Sequence, residues 1–366
     1  HAPVGLAARA ALRGGVMTAI TRGRERRFEV DAGWERLPGG LAHADVAAVD
    51  VDAGDRVYLF TRFDGQVIVY ERAGTYVRSW GKGLFTTPHG LTVGPDGSVY
   101  CVDAGDHTVR RFTPDGELLM TLGTPGAASD TGFVSGRPAR VHSVEGVRYG
   151  GPPFNRCTAL AVAPGGDLYV TDGYGNSRVH RFTPDGELIA SWGEPGTGPG
   201  EFHLPHCLDI APDGRVFVGD RENDRIQIFT PDGTFIEEWT DVRRPCDLTI
   251  APDGSVYVVE LWRPEGGSSF TRGKTERDQP ARLTVLNPYG EVIERWGDSS
   301  EHRTEPGNFI APHGIALDSH GDLYVAEVTY SFAIRPGRVA PSCGRHQLQK
   351  FLRVGAGADT SARRHA

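Results

Sequence analysis

The stretch Phe202-His203-Leu204-Pro205-His206-Cys207-Leu208-Asp209-Ile210 runs into Ala211-Pro212-Asp213-Gly214 and then into Arg215-Val216-Phe217-Val218-Gly219-Asp220. An apolar run, a turn built on proline and glycine, and an alternating run that ends on a carboxylate describe two strands joined by a tight turn. The phrase recurs as Thr87-Pro88-His89-Gly90-Leu91 with Pro95-Asp96-Gly97, and as Ala311-Pro312-His313-Gly314-Ile315 with Ser319-His320-Gly321. A second turn, Thr-Pro-Asp-Gly, repeats at 113–116, 183–186 and 230–233. A self-similar unit of this length has to be settled before any local reading.

Six copies can be traced: Trp34–Gly81, Leu84–Gly123, Phe154–Gly193, Phe202–Trp239, Arg243–Gly297 and Phe309–Phe351. Period-two alternation in short runs with paired turns makes each copy a four-stranded antiparallel meander. Such a sheet cannot bury both faces alone. Six arranged radially cover one another, so the fold expected is an all-β, six-bladed β-propeller. Residues 1–28 lie outside the repeat and are expected to form a flexible N-terminal extension. Residues 29–366 are expected to form the propeller, with loop insertions over one face. That face holds the start of strand one, the loop after strand two and the exit of strand four, and it collects the long irregular pieces. Irregular loops clustered on one side of a rigid scaffold mark a binding site.

Composition narrows the partners. A formal charge of −8 over 366 residues lacks the basic surface that phosphate contacts need, so no nucleic-acid partner is expected. Mean hydropathy is −0.34, and no apolar run approaches membrane-spanning length, so no membrane association is expected. A small-molecule or short-peptide substrate fits a channel site, and no obligate protein partner is predicted. Cys101, Cys157, Cys207, Cys246 and Cys343 are scattered and odd in number, which is not a disulfide framework. They point to a reducing compartment, with a cytoplasmic location expected and secretion as the alternative.

Near the start of strand one the copies place Val46, His89, Thr158, His206, Cys246 and His313 in one register. The histidines fall in alternate copies, about 120° apart around a six-bladed disc whose first strands line the central channel. Three neutral imidazoles that leave an open coordination position form the arrangement expected of catalytic Zn²⁺. Three nitrogen ligands do not by themselves select zinc over iron, manganese or nickel. Cys246 shares the register but not the threefold spacing, which favours a structural thiol over a fourth ligand. Strand two ends on Asp103, Asp172, Asp220, Glu260 and Glu327, placed to hold adjacent loops through backbone N–H groups. Just beyond stand Arg62, Arg221 and Tyr174, expected at the mouth above the metal. Guanidinium groups there suit a carboxylate or a developing oxyanion, and the tyrosine is placed to act as a base.

These phrases resemble NHL-repeat propellers over Trp34–Phe351. They resemble most closely the peptidyl-α-hydroxyglycine α-amidating lyases, through Pro88-His89-Gly90-Leu91, Asp172-Gly173-Tyr174-Gly175-Asn176-Ser177-Arg178, Pro205-His206-Cys207-Leu208, Asp220-Arg221-Glu222-Asn223-Asp224-Arg225 and Pro312-His313-Gly314-Ile315. The resemblance implies zinc on His89, His206 and His313, an active-site tyrosine at Tyr174, and active-site arginines at Arg62 and Arg221. It implies a lyase that cleaves the C–N bond of an α-hydroxyglycine or related carbinolamide. Two positions depart from that family. Gly314 stands where an acidic residue is associated with a structural calcium, so Ca²⁺ is doubtful. Gly175 replaces a cysteine that in the family forms a disulfide with one near Cys157. Two other functions fit the residues: a metal-dependent hydrolase of the lactonase type, and a non-enzymatic NHL-repeat binding protein.

Overall fold

The predicted meanders form in blades one to five. The structure, a computed structural model, describes residues 16–19, 26–134 and 146–354. Blades one to four are consecutive meanders over 46–80, 88–122, 157–192 and 205–239, and each sheet keeps its strands in chain order. Blade five, 245–296, inserts 261–281 between its second and third strands, including the small ribbon Ser268–Ser269 with Gly273–Lys274. The fold is therefore the six-bladed all-β propeller that the repeat predicts.

Blade six departs from the simple repeat. Its inner strands, Pro312–Leu317, Leu323–Glu327 and Leu348–Val354, are completed on the outside by Arg26–Asp31, which pairs antiparallel with Leu348–Val354. Val16–Ala19 adds a further strand at that edge. The boundary drawn at residue 28 is thus corrected, because residues 16–19 and 26–28 of the expected extension belong to the sheet. Joining the two ends of the chain in one blade closes the ring and gives the open last sheet a partner. The rest of the predicted extension, residues 1–15 and 20–25, lies outside the described residues.

Apolar burial falls at the blade junctions, where six clusters sit among the described residues. One joins Phe60, Phe85 and Phe112 between blades one and two. Another seals the ring between blades six and one, where Trp34 packs on Tyr70 and Tyr324. The strand-two carboxylates behave as loop anchors. Asp103 accepts from the Thr86 and Thr87 N–H groups, Asp172 from Asn155, Asp220 from His203, Glu260 from Arg243, and Glu327 from Ile310 and Ala311.

One local irregularity repeats six times. In every first strand the pairing slips just after its first residue, between Val46 and Ala48, Pro88 and Leu91, Cys157 and Ala159, Pro205 and Cys207, Pro245 and Asp247, and Pro312 and Gly314. A bulge leaves a residue out of the ladder and re-aims its side chain. The residues left out include Ala47, His89, Thr158, His206, Cys246 and His313. In the first blade the counterpart of the histidines is therefore Ala47, one residue on from Val46, because Val46 pairs with Thr61 as Pro88 pairs with Asp103.

Candidate metal centre

The bulges bring His89, His206 and His313 to one point on the channel axis. Their rings lie 4.8, 4.7 and 4.9 Å apart between centroids, a nearly equilateral set. One nitrogen from each falls within 4.8 Å of the others. All three side chains are buried.

Their orientation is fixed by the blades that carry no histidine. His89 Nδ1 donates to the Thr158 carbonyl at 2.6 Å, His206 Nδ1 to the Cys246 carbonyl at 2.6 Å, and His313 Nδ1 to the Ala47 carbonyl at 2.7 Å. A carbonyl only accepts, so each Nδ1 carries the proton and each Nε2 keeps its lone pair. Blades two, four and six thus supply imidazoles, and blades three, five and one supply the carbonyls that set their tautomer, as is common around bound metals. Burial first, and then neighbouring positive groups or imidazoles, hold all three histidines well below their ordinary pKa. Three neutral nitrogens with converging lone pairs fit a divalent cation with imidazole preference, zinc among them.

Tyr174, Arg62 and Arg221 gather at the same point. Tyr174 Oη is 3.1 Å from both His89 Nε2 and His206 Nε2. Arg62 Nη2 is 3.3 Å from His313 Nε2, and Arg221 Nη1 donates to Tyr174 Oη at 3.3 Å. Local backbone geometry explains the tyrosine. A Cβ on Gly173 would lie 2.2 Å from the Pro205 carbonyl oxygen, and one on Gly175 would lie 2.1 Å from Asn155 Oδ1. Only glycine lets the chain pass that close on both sides of Tyr174. The extra residue shifts the register: the Tyr174 N–H faces the Arg156 carbonyl as the Arg62 N–H faces Asp45 and the Arg221 N–H faces Leu204. Tyr174, rather than Gly173, is thus the backbone equivalent of the two arginines.

Sequence reasoning missed several groups around these residues. Arg62 donates to Ser331 Oγ at 3.0 Å and to the Pro88 carbonyl at 3.3 Å. Ser331 lies in the helical turn Tyr330–Ile334, whose first N–H groups are held by Asp45. An insertion without a repeat partner gives no register signal. Arg221 Nε donates to Glu222 at 2.9 Å, and the same carboxylate oxygen accepts from Arg244 at 2.9 Å. Burial raises the Glu222 pKa, but Arg244 and Arg221 outweigh it and bring it down to about 2. Arg156 also reaches the centre, 5.5 Å from the Tyr174 ring.

Other candidates fall elsewhere. The Cys246 thiol is buried and raised to about 11 by that burial, with Arg221 working against the rise. It lies outside the three-nitrogen cluster. Cys157 packs under the Asp103 and Thr108 carbonyls, while the neighbour of Gly175 is Asn155. Arg225 bridges Asp220 and Glu238, and Arg178 pairs with Glu194. His302 pairs with Glu305 on the surface.

The histidines share a cavity of about 240 Å³ with Asp50, Asp209 and Asp247. Each carboxylate accepts an N–H from another blade: Asp50 from Val93, Asp209 from Ile250, and Asp247 from Ile315. Burial raises them to about 7, 6 and 8. Gly314 offers no carboxylate, and its Cα face lies against the Ala48 backbone.

An NHL repeat family profile matches residues 154–182 and 202–229. "NHL repeat-containing protein 3" of Mus musculus is 28% identical over 344 residues, covering 89% of this chain and 84% of that protein. "Peptidyl-alpha-hydroxyglycine alpha-amidating lyase 1" of Drosophila melanogaster is 34% identical over 156 residues, covering 39% of this chain and 25% of that protein. Among solved structures, a gluconolactonase, XC5397 of Xanthomonas campestris, superposes with a TM-score of 0.56 at 14% identity over 96% of this chain and 99% of that one, a likeness of fold. The chain is an NHL-repeat-like β-propeller related to amidating-lyase family members, with a buried three-histidine cluster able to hold a metal ion.

Proposed function

We propose that the protein is a metal-dependent lyase, with zinc as the expected metal, that cleaves the C–N bond of an α-hydroxyglycine or related carbinolamide. The observation that carries this reading is the Tyr174 hydroxyl 3.1 Å from two of three converging imidazoles, with a guanidinium hydrogen-bonded to it. A divalent cation on His89, His206 and His313 supplies Lewis-acid activation of a substrate oxygen.

The chain's own groups do the rest. Tyr174 Oη takes the proton of the carbinol hydroxyl as its own proton is handed on, so it is a phenol before and after the step. The oxygen lone pair then forms the carbonyl, the C–N bond breaks, and its electron pair leaves on the amide nitrogen. The proton that Tyr174 releases goes to that nitrogen as the carbinol proton replaces it, so a primary amide and an α-keto acid or aldehyde acid result without water being consumed. Arg221 donates to Tyr174 Oη and steadies negative charge there. Arg62, fixed by Ser331 and the Pro88 carbonyl, does the same on the His313 side.

Metal-loaded protein given an N-acyl-α-hydroxyglycine should release the primary amide, read by mass spectrometry. Release of the carboxylic acid instead would identify a hydrolase. Inertness toward this substrate, in protein carrying stoichiometric metal, would remove the lyase reading.

A further inference from the structure

The residue just before each first strand is Asp45, Thr87, Arg156, Leu204, Arg244 or Ala311. In four blades it has positive φ without being glycine: Asp45 58°, Arg156 64°, Leu204 73° and Arg244 40°. Such a conformation disfavours a side chain with a Cβ and persists where the surroundings enforce it. In three of the four the side chain is buried and used by the fold. Asp45 accepts from the Tyr330 and Ser331 N–H groups, Leu204 is core, and Arg244 is tied to Glu222 and the Trp262 carbonyl. Arg156 is the exception. Its guanidinium is half-buried over the Tyr174 ring, and it has no carboxylate or carbonyl partner among the described residues.

The other two arginines at the mouth are occupied. Arg62 is held by Ser331, the Pro88 carbonyl and His313, and Arg221 by Glu222 and Tyr174. A guanidinium without a carboxylate or carbonyl partner among the described residues, beside a reacting group and in a mouth that already carries two more, suits an anion. Its planar fork suits a carboxylate.

We propose that Arg156 is the substrate-carboxylate anchor of this site, selecting substrates that carry a free carboxylate next to the reacting carbon and leaving Arg62 and Arg221 to act on Tyr174 and the metal ligands. This rests on the lyase reading for the identity of the substrate, and on the geometry alone for the anion. Arg156 touches substrate and not the reacting bond, so its loss should raise KM far more than it lowers kcat.

The test uses the full chain loaded with metal and an inert probe, N-benzoylglycine, compared with its methyl ester by calorimetry. Wild type should bind the acid about tenfold or more tightly than the ester, the scale of a charge-assisted hydrogen-bonded pair. Arg156→Gln should abolish that preference, and Arg156→Lys should restore part of it. Metal content and melting temperature, measured alongside, should be unchanged in both variants. A preference that survives in Arg156→Gln overturns the inference, and so does a wild type that binds acid and ester equally or binds neither. If the acid preference depends on Arg156 but N-benzoyl-α-hydroxyglycine is not turned over, the anion site stands and the lyase reading fails.

Discussion

Asp247 gives a pH dependence whose sign and size can be worked out. Its carboxyl lies in the channel wall and is raised to about 8, burial being the main cause, against an ordinary value of 3.8. A carboxyl that keeps its proton to higher pH when folded than when unfolded stabilises the fold while that proton stays on. That stability is lost as pH rises through the folded pKa, because the folded state then binds no more protons than the unfolded one. Between pH 6.5 and pH 8 the loss from Asp247 is about 1.5 kcal/mol, at about 1.4 kcal/mol per pKa unit. Asp50, at about 7, adds a smaller loss over the same window. The three histidines oppose it near pH 6.5, since their lowered pKa values make them gain stability as the unfolded chain deprotonates. Comparing wild type with Asp247→Asn removes most of the contribution of these other groups, and asparagine keeps an acceptor for one of the two N–H groups, of Ile315 and Leu248, that the carboxyl serves, a loss that does not change with pH. Urea unfolding of metal-free protein at both pH values should show wild type losing about 1.5 kcal/mol more than the variant. Parallel pH profiles, or a wild type that gains stability relative to Asp247→Asn, would refute the claim that burial outweighs the N–H groups this carboxyl accepts and keeps it protonated.

Replacing His89, His206 and His313 together with alanine should cut bound metal from about one ion per chain to background by elemental analysis and abolish turnover; a metal-bearing triple variant would falsify the assignment of the ligands. Glu222→Gln leaves Arg221 and Arg244 without their shared countercharge, so it should destabilise the fold by about 3 kcal/mol and lower kcat at least tenfold; unchanged values would mean Arg221 needs no such anchor. Gly173→Ala forces a Cβ onto the Pro205 carbonyl and should cost about 2 kcal/mol or more while displacing Tyr174, seen as a fall in kcat with metal content retained.

The fold was legible because Pro-Asp-Gly turns and strand-two carboxylates repeat at fixed offsets, and each has a local physical cause. The three histidines were legible for the same reason, since they share a proline-led phrase. In the first blade no proline or histidine marks the place of the bulge, so the sequence pointed to Val46 where the structure has Ala47. The outer strand of blade six comes from Arg26–Asp31, far from its partner in the chain and with no turn phrase beside it. Tyr174 looked displaced from the arginine register because one extra residue precedes it, and only the backbone pairing restores the match. Ser331 and Glu222 act through contacts between different loops, which no local pattern encodes. Arg156 was hidden because its position carries no shared chemistry around the ring: Asp45, Thr87, Leu204, Arg244 and Ala311 stand there in the other blades.

The alternation of blades also bears on how the centre can change. A histidine-bearing blade contributes a side chain, whereas its neighbour contributes only a carbonyl at the same bulged residue. Thr158, Cys246 and Ala47 differ in every chemical respect yet perform one task, because the acceptor is backbone. Substitution at those three positions is therefore free to tune packing around the metal without altering imidazole tautomer, as long as the bulge survives. Substitution at Arg62, Tyr174 or Arg221 has no such freedom, since each acts through its side chain within 3.3 Å of an imidazole or of the hydroxyl between two of them. Metal retention should thus tolerate change in blades one, three and five at the bulge, while the proposed reactivity would depend on the backbone-equivalent residues Arg62, Tyr174 and Arg221 that follow strand two in blades one, three and four. Under the proposed reading, separating those functions by blade would let one propeller scaffold keep a metal while the chemistry above it changes.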